Sequence, residues 1–342
     1  MISSLLGSRR FAPMLWCQFF AALGDNLLKN ALALLVLFQI GEQRQGGAMV
    51  TLAGAVFILP SFLLSALGGQ LADRFDKGLV AQKIKLSELG ATVVSAGGVL
   101  THSISAMFVG VFLFGVLAAL FGPVKYGILP DQLRSDELTA GNALIEAATF
   151  LAILIGTVGG SLAAREIHLA FSEASFLVAG LMIAISLASW LSSLMILPTG
   201  SAAPDLGIDR NPWVSTLSLV STLRRERRLW VGAQIVSWFW LVGAVAISLL
   251  PTLVKAGFNG DEGVIGLCIV AFAVGVGLGS LLAARASHAK PNLALVPLGA
   301  ILMAVFSISI AWSAWTAVPS STELSPLGFL QSAQGWPLVL AL

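Results

Sequence analysis

Long apolar runs punctuate this chain, and their length decides what it can fold into. They fall at about 11–40, 48–72, 79–101, 104–123, 138–164, 174–197, 229–254, 263–284 and 292–317. A helix rising 1.5 Å per residue needs about 20 such residues to cross roughly 30 Å of hydrocarbon. Nine complete spans are therefore predicted, and a tenth begins near Trp336 and runs to Leu342. Composition argues the same way. Charged residues make up 11% of the chain and hydrophobic ones 57%, against about 25% charged in a soluble domain. A net charge of +2 offers no bulk attraction to nucleic acid. The first run is too long for a cleaved signal peptide, and no small-residue cleavage site follows it. Cys17 and Cys268 both lie inside apolar runs and read as packing residues. The predicted class is an all-α integral membrane protein.

The loops orient the spans. With a cytoplasmic N-terminus, 15 of the 19 basic residues fall on the cytoplasmic side, among them Arg9, Arg10, Arg74, Lys77, Lys83, Lys85, Lys125, Arg134, Arg210, Arg285 and Lys290. Only Arg44, Arg165 and Lys255 fall on the other side, and Lys29 stays within a span. This is the positive-inside pattern, which a miscounted span would scramble. The longest interior polar stretch, 198–228, separates residues 1–197, a predicted six-helix bundle, from 229–342, an incomplete second bundle. Within it Trp213, Leu217, Val220 and Leu223 recur at helical spacing, followed by Arg224, Arg225, Arg227 and Arg228. An amphipathic helix on the anionic cytoplasmic leaflet is expected there. Gly69–Lys77, after the second run, is echoed imperfectly by Gly279–Arg285 after the eighth, as a parallel transporter repeat would be.

Charges within spans are expensive unless paired or wet, so they mark candidate sites. The first span carries Asp25, Asn26, Lys29 and Asn30, with Gln18 and Asp25 on the face that Lys29 shares. Asp25 and Lys29 stand i, i+4 and are expected to pair, near the bilayer midplane. Glu88 and Glu146 are the other in-span acids, each read as about two turns from the cytoplasmic end, with Asn142 i, i+4 to Glu146. In the seventh span Gln234, Ser237 and Trp238 share a face as candidates for an opposite cavity wall. The segment Phe121–Pro130 carries two prolines and two glycines and is expected to break the helix at the membrane surface, with Lys125 and Tyr126 at headgroup level. Gly69 is expected to allow close helix packing, and Asp73, Arg74, Lys77 and Glu88 to form a cytoplasmic gate.

Other matches carry no chemistry. Gly275–Ser280 resembles half a dinucleotide loop but lies in a span, where small residues serve helix packing. His102, His168 and His288 have no metal-ligand spacing, and neither a nucleophile–base set nor a P-loop is present. No cofactor or metal is predicted.

The loop Gly69–Lys77 resembles the G-x-L-A-D-R-x-x-[RK] signature of the major facilitator superfamily; its second-half copy lacks the acid, with Ala284 before Arg285. Gly24–Leu32 and Phe121–Pro130 resemble two hallmark segments of the bacterial lysophospholipid transporters in that superfamily, most of all the module often fused to an acyltransferase and an acyl-ACP synthetase. The similarity runs over essentially the whole chain. It implies a two-bundle transporter in the bacterial inner membrane that flips lysophosphatidylethanolamine inward, without ATP, for re-acylation by a cytoplasmic acyltransferase. Asp25, Asn26, Lys29, Asn30, Lys125, Tyr126, Glu146 and Gln234 are then the expected substrate contacts. Members of the superfamily typically have twelve spans, so an ending inside the tenth predicts a truncated product or fragment. No acyltransferase His-x4-Asp motif occurs. A proton-coupled drug or metabolite exporter of the same fold, with Asp25 as proton carrier, is the alternative; a membrane-embedded enzyme is disfavoured for want of a catalytic set.

Overall fold

A computed structural model describes residues 2–40, 43–169, 173–209, 211–287 and 292–342; within these, the side chains of 2–3, 33–40, 43–51, 161, 164–169, 173 and 262 are not described. Arg210, His288 and Lys290 lie outside the described residues, as do the side chains of Arg44, Arg165 and His168. The chain divides into two compact units, Met1–Val220 and Ser221–Leu342.

The regular elements of the first unit are all helices among the described residues: α1 (Ile2–Leu6), α2 (Ala12–Ile40), α3 (Gln43–Arg74), α4 (Lys77–Thr101), α5 (Ile104–Gln132), α6 (Leu138–Leu169), α7 (Glu173–Leu194) and, after a non-helical linker, α8 (Pro212–Arg225), inside which the division falls. Local signals set the ends. Asp76 caps α4 by accepting from the Leu79 amide, and His102 closes it in the left-handed region at φ 53°. Ser103 accepts from the Ala106 amide to start α5. Such caps satisfy amides that have no intrahelical partner.

Packing follows small residues. On α6 a side chain at Gly156 would meet the Leu23 carbonyl at 2.6 Å, and one at Gly160 the Leu27 carbonyl at 2.5 Å. This G-x-x-x-G stripe lets α6 lie directly on α2, the helix with the in-span charges. The apolar core draws Leu27, Leu28 and Leu32 from α2, Ala91 and Val99 from α4, Met107, Val111 and Phe114 from α5, and Val178, Met182 and Ile185 from α7. Bulky apolar side chains such as Leu59, Phe62 and Leu177 point outward, as a lipid-facing surface requires.

The second unit contains α9 (Arg227–Thr252), a π turn (Leu253–Gly257), α10 (Glu262–Ala286), α11 (Leu295–Trp315), α12 (Pro326–Gln331) and α13 (Gly335–Ala341). Its small core gathers Leu250, Val254, Phe258, Val264, Cys268, Phe329 and Leu338. No residue of α11 is buried.

Seven stretches are long and apolar enough to cross a membrane among the described residues. Against the nine complete spans expected, α2 and α4 are also long helices, and both carry charges in their middle. Two readings are corrected. Phe121–Pro130 does not break a helix: α5 runs through Pro123 and Pro130 to Gln132. A proline forfeits one backbone bond and kinks more often than it ends a membrane helix, where neighbouring helices hold it. The two repeated segments are mostly helix as well, since α3 continues to Arg74 and α10 to Ala286.

Candidate functional site

The first unit collects its in-span charges into one interior cluster. Asp25 comes from α2, Lys85 and Glu88 from α4, Lys125 from α5 and Glu146 from α6. Lys85 Nζ binds the Glu88 carboxylate at 2.5 Å, with both side chains at most 4% exposed. The same ammonium stands 3.8 Å from the Phe121 ring centre, so an aromatic face replaces part of its lost hydration. Asp25 has Glu88, Lys85, Lys29 and Lys125 as its charged neighbours. Lys125 has Glu146, Lys85 and Asp25 around it and packs 4.4 Å over the Tyr126 ring. The Tyr126 hydroxyl donates to Glu146, bridging α5 to α6. Three acids, Asp25, Glu88 and Glu146, thus meet three lysines, Lys29, Lys85 and Lys125.

Side-chain amides complete the α2 part. Lys29 Nζ donates to Asn26 Oδ1 at 3.0 Å and lies 5.3 Å over the Phe57 ring. Asn30 donates to the Asn26 carbonyl at 2.8 Å and to Thr157 Oγ1 at 3.3 Å. Gln18 donates to Thr149 Oγ1 at 3.0 Å. Next to the cluster a small cavity is lined by Phe20, Gly24, Glu88, Thr92, Phe114, Met182 and Ser186. The buried Ser186 hydroxyl has no hydrogen-bond partner among the described residues.

Several expectations change against this geometry. Asp25 and Lys29 form no ion pair among the described residues: one turn of helix brings them near, but Asn26 takes the ammonium instead. Lys85, expected at the cytoplasmic end of its span, lies fully buried nine residues into α4. Glu88, the twelfth residue of α4, is buried as well. Asn142 does not reach Glu146; it donates to the Leu138 carbonyl. Lys125 and Tyr126 sit within the continuous α5 and turn toward α6. Gln234, Ser237 and Trp238 lie exposed on α9 in the second unit.

The charges near the α3–α4 and α5–α6 turns form a separate group. A side chain at Gly69 would meet nothing, whereas one at Gly68 would strike the Leu120 carbonyl at 2.8 Å. The close-packing glycine is therefore Gly68, whose face of α3 meets α5. Lys77 pairs with Asp131 at 2.8 Å, and Arg74 stacks 5.5 Å from the Phe75 ring. Arg10 binds Glu137 at 3.2 Å, and Arg134 reaches Asp136 and Glu137. The Arg134 amide, then Arg10 and Arg134 themselves, hold the Glu137 carboxyl below its ordinary range. Residues that sequence reasoning passed over are Phe121, Thr149, Asp131, Gln70, Asp76 and Ser186. Of these only Asp76 carried a signal, an acid directly before a helix start.

The sequence model of the Major Facilitator Superfamily matches residues 14–342. The chain belongs to that superfamily. Among curated proteins it is 31% identical over 314 residues to the lysophospholipid transporter LplT of Yersinia pestis (strain Pestoides F), covering 88% of this chain and 71% of that one. This likeness places it with the relatives so named. The LplT of Pectobacterium carotovorum is 34% identical over 254 residues, covering 71% of this chain and 56% of that protein. That of Cronobacter sakazakii is 40% identical over 163 residues, covering 46% and 38%. The chain thus spans about half the length of the Pectobacterium relative and less of the Cronobacter one. Among solved structures, a POT peptide transporter crystallised with sulfate aligns at a TM-score of 0.52 and 12% identity, over 97% of this chain and 79% of that one. This agreement concerns the fold.

Proposed function

We propose that this protein moves lysophospholipid across the bacterial inner membrane to the cytoplasmic leaflet, with lysophosphatidylethanolamine the favoured substrate. The observation that carries this reading is the charge-balanced interior cluster of Asp25, Glu88, Glu146, Lys29, Lys85 and Lys125. A zwitterionic headgroup brings one phosphate and one ammonium. It can exchange partners with such a cluster without leaving a net charge buried, the costly outcome in a membrane. Asp25 suits the ammonium, since no hydrogen bond or ion pair already claims it among the described residues. Lys125 suits the phosphate as a point charge. Relatives named for lysophospholipid support the substrate class.

Movement proceeds by alternation between arrangements of the two units, each biased by substrate contacts. The N-terminus lies in the cytoplasm, and α8 rests on the cytoplasmic leaflet as part of the linker 198–228 between the bundles. This chain carries no chemical step; re-acylation falls to an acyltransferase, whether separate or part of an acyltransferase/acyl-ACP synthetase assembly.

The test is inward flipping of labelled lysophosphatidylethanolamine in proteoliposomes, by this chain and by a form extended through twelve spans. Asp25→Asn should lower flipping at least tenfold at unchanged protein level. Failure of a well-folded extended form to flip any lysolipid would overturn the reading.

A further inference from the structure

The turn between α3 and α4 holds more than the two helices. Asp76 uses its two carboxylate oxygens for different tasks. Oδ1 accepts from the Leu79 amide at 2.9 Å and caps α4. Oδ2 accepts from the successive amides of Thr199 at 2.7 Å and Gly200 at 2.6 Å, more than 120 residues away in sequence. Gly200 has φ +74°, a left-handed conformation open to glycine, and this turn points both amides at one oxygen. The Lys77 amide returns a bond to Thr199 Oγ1 at 3.1 Å.

The contact continues along the linker. The Ala203 amide donates to the Asp73 carbonyl at 2.8 Å, and Ser201 Oγ to the Arg74 carbonyl at 2.7 Å. These carbonyls close the last turn of α3 and have no partner within it. Gln70 then bridges two further points, accepting from the Asp209 amide at 3.1 Å and donating to Ser215 Oγ at 3.3 Å. Ser215 is the one buried residue of α8. Nearly all of these bonds involve linker backbone or small hydroxyls. Asp73 and Arg74 contribute only their carbonyls, so their side chains stay outside the contact.

We infer that the Gln70–Lys77 turn is a docking site for the linker segment Thr199–Ser215, held chiefly by Asp76, and that this clasp fixes how much chain is free to follow the second unit. Undocked, the 13 residues from Thr199 to Asn211 that precede α8 add up to about 43 Å of reach at roughly 3.3 Å each. Docked, they add none. A second role thus sits in the same turn as the gate motif, carried by Asp76 and Gln70 while the gate side chains Asp73 and Arg74 remain available.

Amide hydrogen exchange on the full chain reads the clasp directly, whatever lipid is transported. Thr199, Gly200 and Ala203 should exchange slowly in the wild type. Asp76→Asn keeps an oxygen for Leu79 and turns an NH2 group toward Thr199 and Gly200. Those two amides should then exchange at least tenfold faster while Leu79 stays protected. Asp73→Asn should leave all of them slow. Equal exchange at Thr199 and Gly200 in wild type and Asp76→Asn would overturn the docking site. Should Asp76→Asn loosen α4 as well, Gln70→Ala decides, because it does not touch that helix. Faster exchange at Asp209 supports the clasp, and unchanged exchange overturns it. In proteoliposomes that flip lysolipid, Asp76→Asn should slow flipping at least fivefold at equal protein; a loosened linker with unaltered flipping would remove the functional half of the inference.

Discussion

The interior cluster and the surface pairs of the first unit use the same chemistry in opposite surroundings. Lys85 and Glu88 lie within the bundle at 2% and 4% exposure. Arg134 and Asp136 stand in the open at 66% and 55%. Inside the membrane neither charge has water to fall back on, so each depends on its partner and on Phe121. At the exposed surface, water and salt replace a lost partner at little cost. The interior charges are therefore held by one another. The surface pairs only fasten loops.

The sharpest way to break this comparison is Glu88→Gln, which strands Lys85 as an unpaired buried cation. A loss of about 3–5 kcal/mol is expected, visible as a large fall in the unfolding temperature in detergent. Lys85→Met together with Glu88→Gln should recover most of it, and an equal loss in the double variant would contradict the pairing. Asp25→Asn should spare the unfolding temperature while lowering flipping, since Asp25 has no direct bond to lose. Next in size is Tyr126→Phe, which removes the bridge from α5 to α6; a loss of about 1 kcal/mol is expected, with Glu146 left for Lys125 alone. Arg10→Gln should cost no more than about 1 kcal/mol, because Arg10 is 43% exposed. Arg134→Ala should leave the unfolding temperature unmoved.

Acid titration refines the surface half. The folded Glu137 carboxyl lies below its ordinary value, which is about 4.3 in an unfolded chain. Its contribution is therefore complete above that value and is lost as pH falls through the lower folded one. The Arg10–Glu137 contact should hold unchanged from pH 5 to 8 and weaken only in more acid solution. A wild-type unfolding temperature that converges on that of Glu137→Gln already at pH 6 would contradict this.

The linker gives a second contrast within the same unit. Sequence periodicity placed a helix near Trp213, and α8 is there, at Pro212–Arg225. Nothing in the residues between Pro198 and Asn211 announced where that segment binds. Its bonds are made by backbone amides, which every sequence possesses, and their target lies in a turn distant along the chain.

Composition and the spacing of apolar runs determined the class and the membrane helices, because crossing hydrocarbon imposes length and polarity on each helix separately; the superfamily showed only as a resemblance, in the loop motif Gly69–Lys77. The positions of Asp25, Lys29, Glu88 and Glu146 within helices were legible too, since each stands inside an apolar run. Their partners were not. Helical spacing offered Asp25 to Lys29, yet Asn26 takes that lysine, and Tyr126 finds Glu146 across two helices. Only the tertiary structure decided which charges meet, that α5 runs unbroken through two prolines, and that Gly68 rather than Gly69 packs closely. A partner is selected by which helix faces lie together, and those faces are chosen by small-residue packing summed over the whole bundle.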